Sequence, residues 1–178
     1  MELEETLEKV KRLVDSDRTE FFPNAIALFA TFLVRSVARG STKAQASFLK
    51  VTQLGEEFAF AYPPELVSGG NRLPILDSSI AGRVVIGGTT VIENNVPERS
   101  HFGFYERVPN PRGEVRTIQK MVAAPIPGKD SHPIGVVEVS LTGTSPQDAG
   151  PDFTDEDGFR LETYCQVFSP FLQKIWSR

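Results

Sequence analysis

Two apolar segments in the second half of the chain constrain its fold more than any other feature. The segments Met121–Pro125 and Ile134–Leu141 are rich in residues that favour β-strands, and the turn Gly128-Lys129-Asp130-Ser131 separates them. Two such segments joined by a short turn are typical of a β-hairpin. We therefore predict a pair of adjacent antiparallel strands in this part of the chain.

Three further strands are predicted earlier in the chain. Ala46–Val51 and Glu57–Ala61 have a similar composition, and a turn around Gly55 separates them. The third strand, Thr89–Glu93, follows the turn Gly87-Gly88, where glycine allows the backbone a positive φ. The middle of the chain is thus predicted to contain much β-structure.

An apolar seam predicts an amphipathic helix at the start of the chain. Its residues alternate in spacing between four and three and are Leu3, Leu7, Val10 and Val14. Because two heptads are marginally stable alone, the seam packs either on its own domain or on a partner chain, and the pattern favours neither. We assign residues 1–19 to this helix and residues 20–178 to the domain that follows.

Three more helices are predicted from capping residues and apolar periodicity. The second amphipathic helix of the chain has Pro23 in its first turn. A short helix begins at Ile80, after the capping sequence Asp77-Ser78-Ser79. The last helix follows Thr154, has acidic residues in its first turn and is expected to bend at Pro170.

Two stretches lack a sustained period and are predicted as loops. Val96–Arg116 is predicted as a long loop with at most one helical turn, and Thr142–Pro151 as a surface linker. A loop as long as the first is unusual inside a compact domain and is often a functional lid or a disordered segment.

The order of these elements, together with several short motifs, resembles the GAF domain family. The motifs in chain order are Leu73-Pro74, Ser79-Ile80-Ala81-Gly82, Gly87-Gly88, Ala124-Pro125-Ile126, Ile134-Gly135-Val136-Val137 and Phe153-Thr154. The resemblance covers roughly residues 20–178. It implies an α+β fold: a central antiparallel β-sheet (GAF/PAS-like) with N- and C-terminal helices on one face and a ligand pocket under a long loop on the other.

The same resemblance implies which residues line the pocket. They are Ser79, Ile80, His101, Phe102, Phe104, Tyr105, Met121, Ala123 and Glu138. The aromatic side chains of the loop suit an apolar or planar ligand, although they would serve equally to dock an empty loop on the domain. Ser79 lies where free backbone N–H groups converge at a helix start, and simple capping also accounts for it.

Glu138 is the one carboxylate in an otherwise apolar strand. Alternation places it on the same face as Val136 and Ser140. On an inner strand its side chain would have to be paired, protonated or directed into the pocket, because burying an isolated charge is costly. An edge or solvent-facing position is the alternative, and the sequence slightly favours it.

Departures from the family's pattern disfavour several ligands and reactions. Cyclic-nucleotide-binding members carry an Asn-Lys pair where this chain has Ser140–Gly143, and bilin-binding members carry a pocket cysteine that this chain lacks. Free methionine sulfoxide reductases need a nucleophilic and a resolving thiol, whereas this chain has one cysteine, Cys165, on the core-facing side of the last helix. We therefore expect no catalytic residue, no cofactor and no metal site.

The charge and hydropathy of the chain disfavour nucleic acid and membranes as partners. A net charge of −4 does not favour nucleic-acid binding. The most apolar run, Ala25–Val34, is far shorter than the about 20 residues that a membrane-spanning helix needs. With no secretory signal in the sequence, we expect a soluble cytoplasmic protein that binds neither nucleic acid nor membrane.

The expected function is non-catalytic small-molecule sensing in signal transduction. An unknown ligand would bind in a pocket closed by the loop of residues 96–116, and the terminal helices, paired in a homodimer, would pass the response to a separate signalling protein. The alternative is a ligand-free module of the same fold that serves dimerisation or protein interaction.

Overall fold

The computed structural model describes residues 2–16, 18–98, 107–109, 115–130 and 132–177. The helices in this part of the chain are α1 (Leu3–Asp15), α2 (Phe22–Ser36), α3 (Pro64–Ser68), α4 (Ile80–Gly87), α5 (Pro146–Ala149) and α6 (Asp155–Trp176). The strands are β1 (Ala44–Val51), β2 (Glu57–Tyr62), β3 (Arg72–Pro74), β4 (Val91–Glu93), β5 (Arg107–Pro109), β6 (Val115–Pro127) and β7 (Pro133–Gly143). Single turns of 3-10 helix lie at Thr19–Phe21 and Val96–Glu98.

All described strands join one antiparallel sheet. Its spatial order is β3-β2-β1-β7-β6-β4, and β5 pairs with the beginning of β6. The longest ladder is the β6–β7 hairpin, which runs from Thr117 opposite Gly143 to Pro127 opposite Pro133. The predicted hairpin is thus confirmed, and both of its strands extend beyond the predicted bounds. Because β1 pairs with both β2 and β7, strands from the two halves of the chain form a single layer.

The helices α1, α2 and α6 pack together on one face of this sheet. Aromatic side chains make the contact between α2 and α6, where the rings of Phe29 and Phe168 stack with centroids 3.9 Å apart. Val10 and Val14 of α1 are buried in the same core within the single chain. This part of the predicted seam therefore packs on its own chain.

The predicted start of α6 is confirmed in detail. The Thr154 hydroxyl accepts a hydrogen bond from the Asp157 backbone N–H, and the Asp157 carboxylate accepts one from the Thr154 backbone N–H. This reciprocal capping box satisfies donors that a helix start otherwise leaves without partners. The helix then continues through Pro170 to Trp176 without interruption.

Several short elements differ from the sequence prediction. The segment predicted as a long loop with at most one helical turn does contain one 3-10 turn, but it also contains β5 and the beginning of β6. The helix α5 lies within the predicted surface linker, and neither α3 nor β3 was predicted. Elements of three to five residues are too short to show a hydrophobic period, so periodicity does not detect them.

The predicted fold class is confirmed. A central antiparallel sheet carries the N- and C-terminal helices on one face, and α4 packs against β6, β7 and β4. None of the helices within the described ranges is long and apolar enough to span a membrane.

Candidate functional site

A second buried cluster, separate from the core beneath the terminal helices, lies around α4. Its members come from α4, from the 3-10 turn at Val96–Glu98, and from β7 and the strands on both sides of it. They are Leu49, Phe58, Phe60, Ile80, Ala81, Val84, Val96, Ile118, Met121, Ala123 and Val136. We call this cluster and the sheet surface that it covers the α4-side face. It brings together three of the residues predicted for the pocket, Ile80, Met121 and Ala123.

Strand register places polar side chains on the same face. One cross-strand row consists of Ser47, Glu138, Ala123 and Val91, on β1, β7, β6 and β4. The neighbouring row consists of Gln45, Ser140, Met121 and Glu93 on the same four strands. Because directly opposite residues in an antiparallel ladder share a face, the carboxylates and hydroxyls lie among the apolar residues of the α4-side face.

Glu138 lies at the centre of this surface. Glu138 is only 3% exposed and lies on β7, which is flanked by β1 and β6. One carboxylate oxygen accepts a hydrogen bond from the Ser47 hydroxyl at 3.0 Å. The edge or solvent-facing position that the sequence slightly favoured is therefore wrong. The burial agrees with the other expectation, a side chain that is paired, protonated or directed into a pocket, and the Ser47 hydroxyl is one hydrogen-bond partner.

Two buried polar residues of the face, Glu93 and Ser140, were not predicted as site residues. Glu93, 9% exposed, accepts a hydrogen bond from the backbone N–H of Asn95. Ser140 is 4% exposed, and the described part of the chain offers its hydroxyl no hydrogen-bond partner. A buried hydroxyl left without a partner costs about 1–3 kcal/mol. The alternation of β7 already placed Ser140 beside Glu138, whereas the short strand β4 shows too little periodicity to place Glu93.

Ser79 has a clear local role. Its hydroxyl accepts a hydrogen bond from the Gly82 backbone N–H at 3.0 Å and donates one to the Leu76 carbonyl at 2.9 Å. It is thus the N-cap of α4. Close packing accompanies the cap, because a Cβ added at Gly82 would lie 1.8 Å from the Leu76 carbonyl oxygen. Capping accounts for Ser79, and it also fixes the entry of the chain into α4.

The aromatic loop residues predicted for the pocket are His101, Phe102, Phe104 and Tyr105. They lie outside the described residues, so their role stays a prediction.

Cys165 does not belong to the α4-side face, because it is buried in the core beneath the terminal helices. Burial is the main cause that raises the pKa of its thiol, and the negative charge of Glu162 adds to the effect. A thiol held protonated in this way is a poor nucleophile. In the described ranges, no three His, Cys, Asp or Glu side chains are placed to hold a metal ion.

No family model matches the sequence, and no curated protein matches it either. Solved structures do resemble the chain. The GAF domain of a phosphoenolpyruvate-protein phosphotransferase from Acinetobacter aligns with 97% of this chain and 94% of its own, at a TM-score of 0.65 and 14% identity. A methyl-accepting chemotaxis protein, residues 122 to 287, aligns with 96% of each chain at a TM-score of 0.64 and 14% identity.

An enzyme is also among the similar structures. The free methionine-R-sulfoxide reductase of Neisseria meningitidis, solved in complex with its substrate, aligns with 98% of this chain and 90% of its own. The TM-score is 0.63 and the identity 18%. At such low identities the likeness establishes a shared fold and carries no residue role from one protein to another.

Proposed function

We propose that this chain, which has the GAF fold, is a non-catalytic domain that senses a small molecule in signal transduction. Its ligand binds on the α4-side face, with polar groups near Glu138 and Ser140 and apolar groups near Ile80 and Met121. The observation that carries this proposal is the burial of carboxylate and hydroxyl groups in the middle of an apolar sheet surface.

The α4-side face is mostly apolar but contains a few buried polar groups. This composition is more typical of a binding site than of a core that only stabilises the fold. Ligand sites are mostly apolar and hold a few polar groups that orient the ligand. On a central strand such as β7, a buried apolar side chain stabilises the fold more than a carboxylate does, because removing a carboxylate from water costs free energy. Glu138 and Ser140 occupy two such positions. A ligand that bonds to the Ser140 hydroxyl would offset the cost of burying it.

The cysteine content supports a non-catalytic role. Thiol-based sulfoxide reduction converts one thiol to a sulfenic acid, which a second thiol must discharge. This chain has a single cysteine, and Cys165 is buried in the opposite core. The likeness to the Neisseria enzyme therefore supports the fold of this chain without supporting its reaction.

We further propose that the terminal helices carry the response in a homodimer and present it to a separate signalling protein. Half-buried apolar side chains remain on α1 and α6 at Leu3, Leu7, Tyr164, Val167 and Phe171, and on the neighbouring α2 at Leu28. A second copy of the chain would cover such residues in a helix bundle. The ligand-free dimerisation module remains the competing proposal, since it uses the same helices, and ligand binding distinguishes the two.

A thermal-shift screen tests the ligand site. The wild type and Glu138→Gln would be screened in parallel against a library of small metabolites, with Cys165→Ala as a control that changes a buried residue of the opposite core. The proposal expects compounds that raise the melting temperature of the wild type and the control and have a much smaller effect on Glu138→Gln. If every stabilising compound acts equally on all three proteins, the ligand does not bind at Glu138.

A further inference from the structure

A groove with a volume of about 850 Å³ lies away from the α4-side face. Its walls are the end of β1, the β6–β7 hairpin and the C-terminal end of α6. None of the residues predicted for the ligand pocket lines it. The volume falls within the range of about 300–1,000 Å³ that is usual for sites of small molecules.

Trp176 forms a preorganised wall of this groove. The Lys50 ammonium group donates a hydrogen bond to the Trp176 carbonyl oxygen at 2.8 Å, which ties the end of α6 to β1. The indole ring lies close to β7 at Gly135, where an added Cβ would be 3.0 Å from the nearest ring carbon. Because both the backbone and the ring of Trp176 are held by the sheet, the wall does not depend on a ligand for its position.

The lining of the groove is apolar, with a cationic rim. Val51, Pro133, Ile134, Pro170 and Trp176 supply the apolar surface. The charged residues of the lining are Lys50, Lys129, Lys174 and Asp130, so three positive charges face one negative charge.

Two of these lysines are available to an anion in the groove. The negative end of α6 is offset by Lys50, which bonds to the Trp176 carbonyl oxygen. Lys174 pairs with Asp15 at 3.0 Å, but both side chains are well exposed, and such surface pairs exchange partners at little cost. Lys129 is exposed at the hairpin turn. The rim therefore favours a negative group beside Lys129 and Lys174.

We propose that this groove binds a small carboxylate with an apolar body. The carboxylate lies beside Lys129 and Lys174, and the apolar body lies against Trp176 and Ile134. A charged group combined with an apolar body matches both parts of the lining, whereas a cationic molecule of the same shape would meet the lysines. This site is independent of the one proposed at Glu138.

The fluorescence of Trp176 reports on the groove directly, because it is the only tryptophan in the chain. Octanoate serves as the probe, octylammonium as a molecule with the same body and the opposite charge, and acetate as the charge without the body. We expect a saturable change of Trp176 emission with octanoate, a much weaker one with octylammonium and none with acetate at equal concentration.

Charge-reversal variants then locate the carboxylate. Lys129→Glu changes an exposed turn residue and is expected to weaken octanoate binding by about fivefold. Lys11→Glu makes the same change at an exposed position of α1 that does not line the groove, and should leave binding unaltered. Three results would overturn the proposal. The first is that octanoate gives no Trp176 signal, whether or not it stabilises the protein. The second is that octylammonium binds as tightly as octanoate, and the third is that Lys129→Glu binds octanoate with the affinity of the wild type.

Discussion

The guanidinium group of Arg39 and the carboxylate of Asp157 form an ion pair 3.0 Å long between residues that are 118 positions apart in the chain. Asp157 is only 1% exposed and also belongs to the capping box of α6, so one side chain caps a helix and joins it to the segment that follows α2. The contact therefore connects the beginning of α6 to the turn that follows α2.

Replacement of Asp157 by Ala should destabilise the fold by about 2–3 kcal/mol, because it removes a helix cap and leaves Arg39 without its partner. Urea unfolding measures the change. The control is Arg12→Ala, which breaks the exposed pair with Glu8 and should cost less than about 0.5 kcal/mol. Similar losses in both variants would show that the Arg39–Asp157 contact is no more important than a surface pair.

Replacement of Gly82 by Ala should disrupt α4. The added methyl group would lie 1.8 Å from the Leu76 carbonyl oxygen and 2.7 Å from the Ser79 hydroxyl, so the cap of the helix must move. We expect a loss of about 3 kcal/mol or more in unfolding free energy. The matched variant Gly87→Ala brings a methyl group only to 3.3 Å from the Thr89 hydroxyl and should be much milder. Equal effects of the two variants would contradict the close packing of α4.

The link between Lys43 and Asp148 predicts a dependence of stability on pH. The pKa of Asp148 is lowered from 3.8 to about 2. The largest cause is the hydrogen bond that Lys43 donates to its carboxylate, and the next is the hydrogen bond from the Thr144 backbone N–H. A carboxyl group with a lowered pKa in the folded state stabilises the protein above its unfolded pKa, and that stabilisation is lost as the pH falls towards about 2.

The variant Asp148→Asn measures this contribution. Its unfolding midpoint in urea should lie below that of the wild type above about pH 4, and the difference should shrink as the pH falls towards about 2. A difference that stays constant over this range would mean that the ionisation of Asp148 does not contribute.

The proposed homodimer is tested at Leu7, a half-buried residue of α1. Leu7→Lys should lower the mass measured by light scattering, because a lysine cannot be buried unpaired in a helix bundle. Glu4→Lys, at an exposed position of the same helix, is the control and should leave the mass unchanged. If Leu7→Lys has the mass of the wild type, this helix is not part of an interface.

Local sequence signals were sufficient to predict most of the fold. The β6–β7 hairpin, the caps of α4 and α6, and the turn at Gly88, with its φ of 63°, depend on residues that are close in sequence. Such features can be predicted because turn and cap chemistry act within a few residues.

The features that sequence did not predict depend on distant parts of the chain. Alternation correctly placed Glu138 on the same face as Val136 and Ser140, but it did not predict that the residue is buried, which involves β1, whose Ser47 is 91 positions away. Likewise, the pattern of α1 left two partners open, and only the burial of Val10 and Val14 against other helices shows that this part of the seam packs on its own chain. Glu93 lies on a strand of three residues, where no period can develop.

Native mass spectrometry of the freshly purified protein, compared with its denatured mass, tests the ligand site on the α4-side face most directly. We expect an additional mass that dissociates on denaturation and is reduced in Glu138→Gln and Ser140→Ala but retained in Cys165→Ala. An additional mass that all these proteins retain equally would contradict a ligand site on the α4-side face. A wild-type protein whose native and denatured masses agree, and which no compound of the metabolite screen stabilises, would instead support the ligand-free dimerisation module.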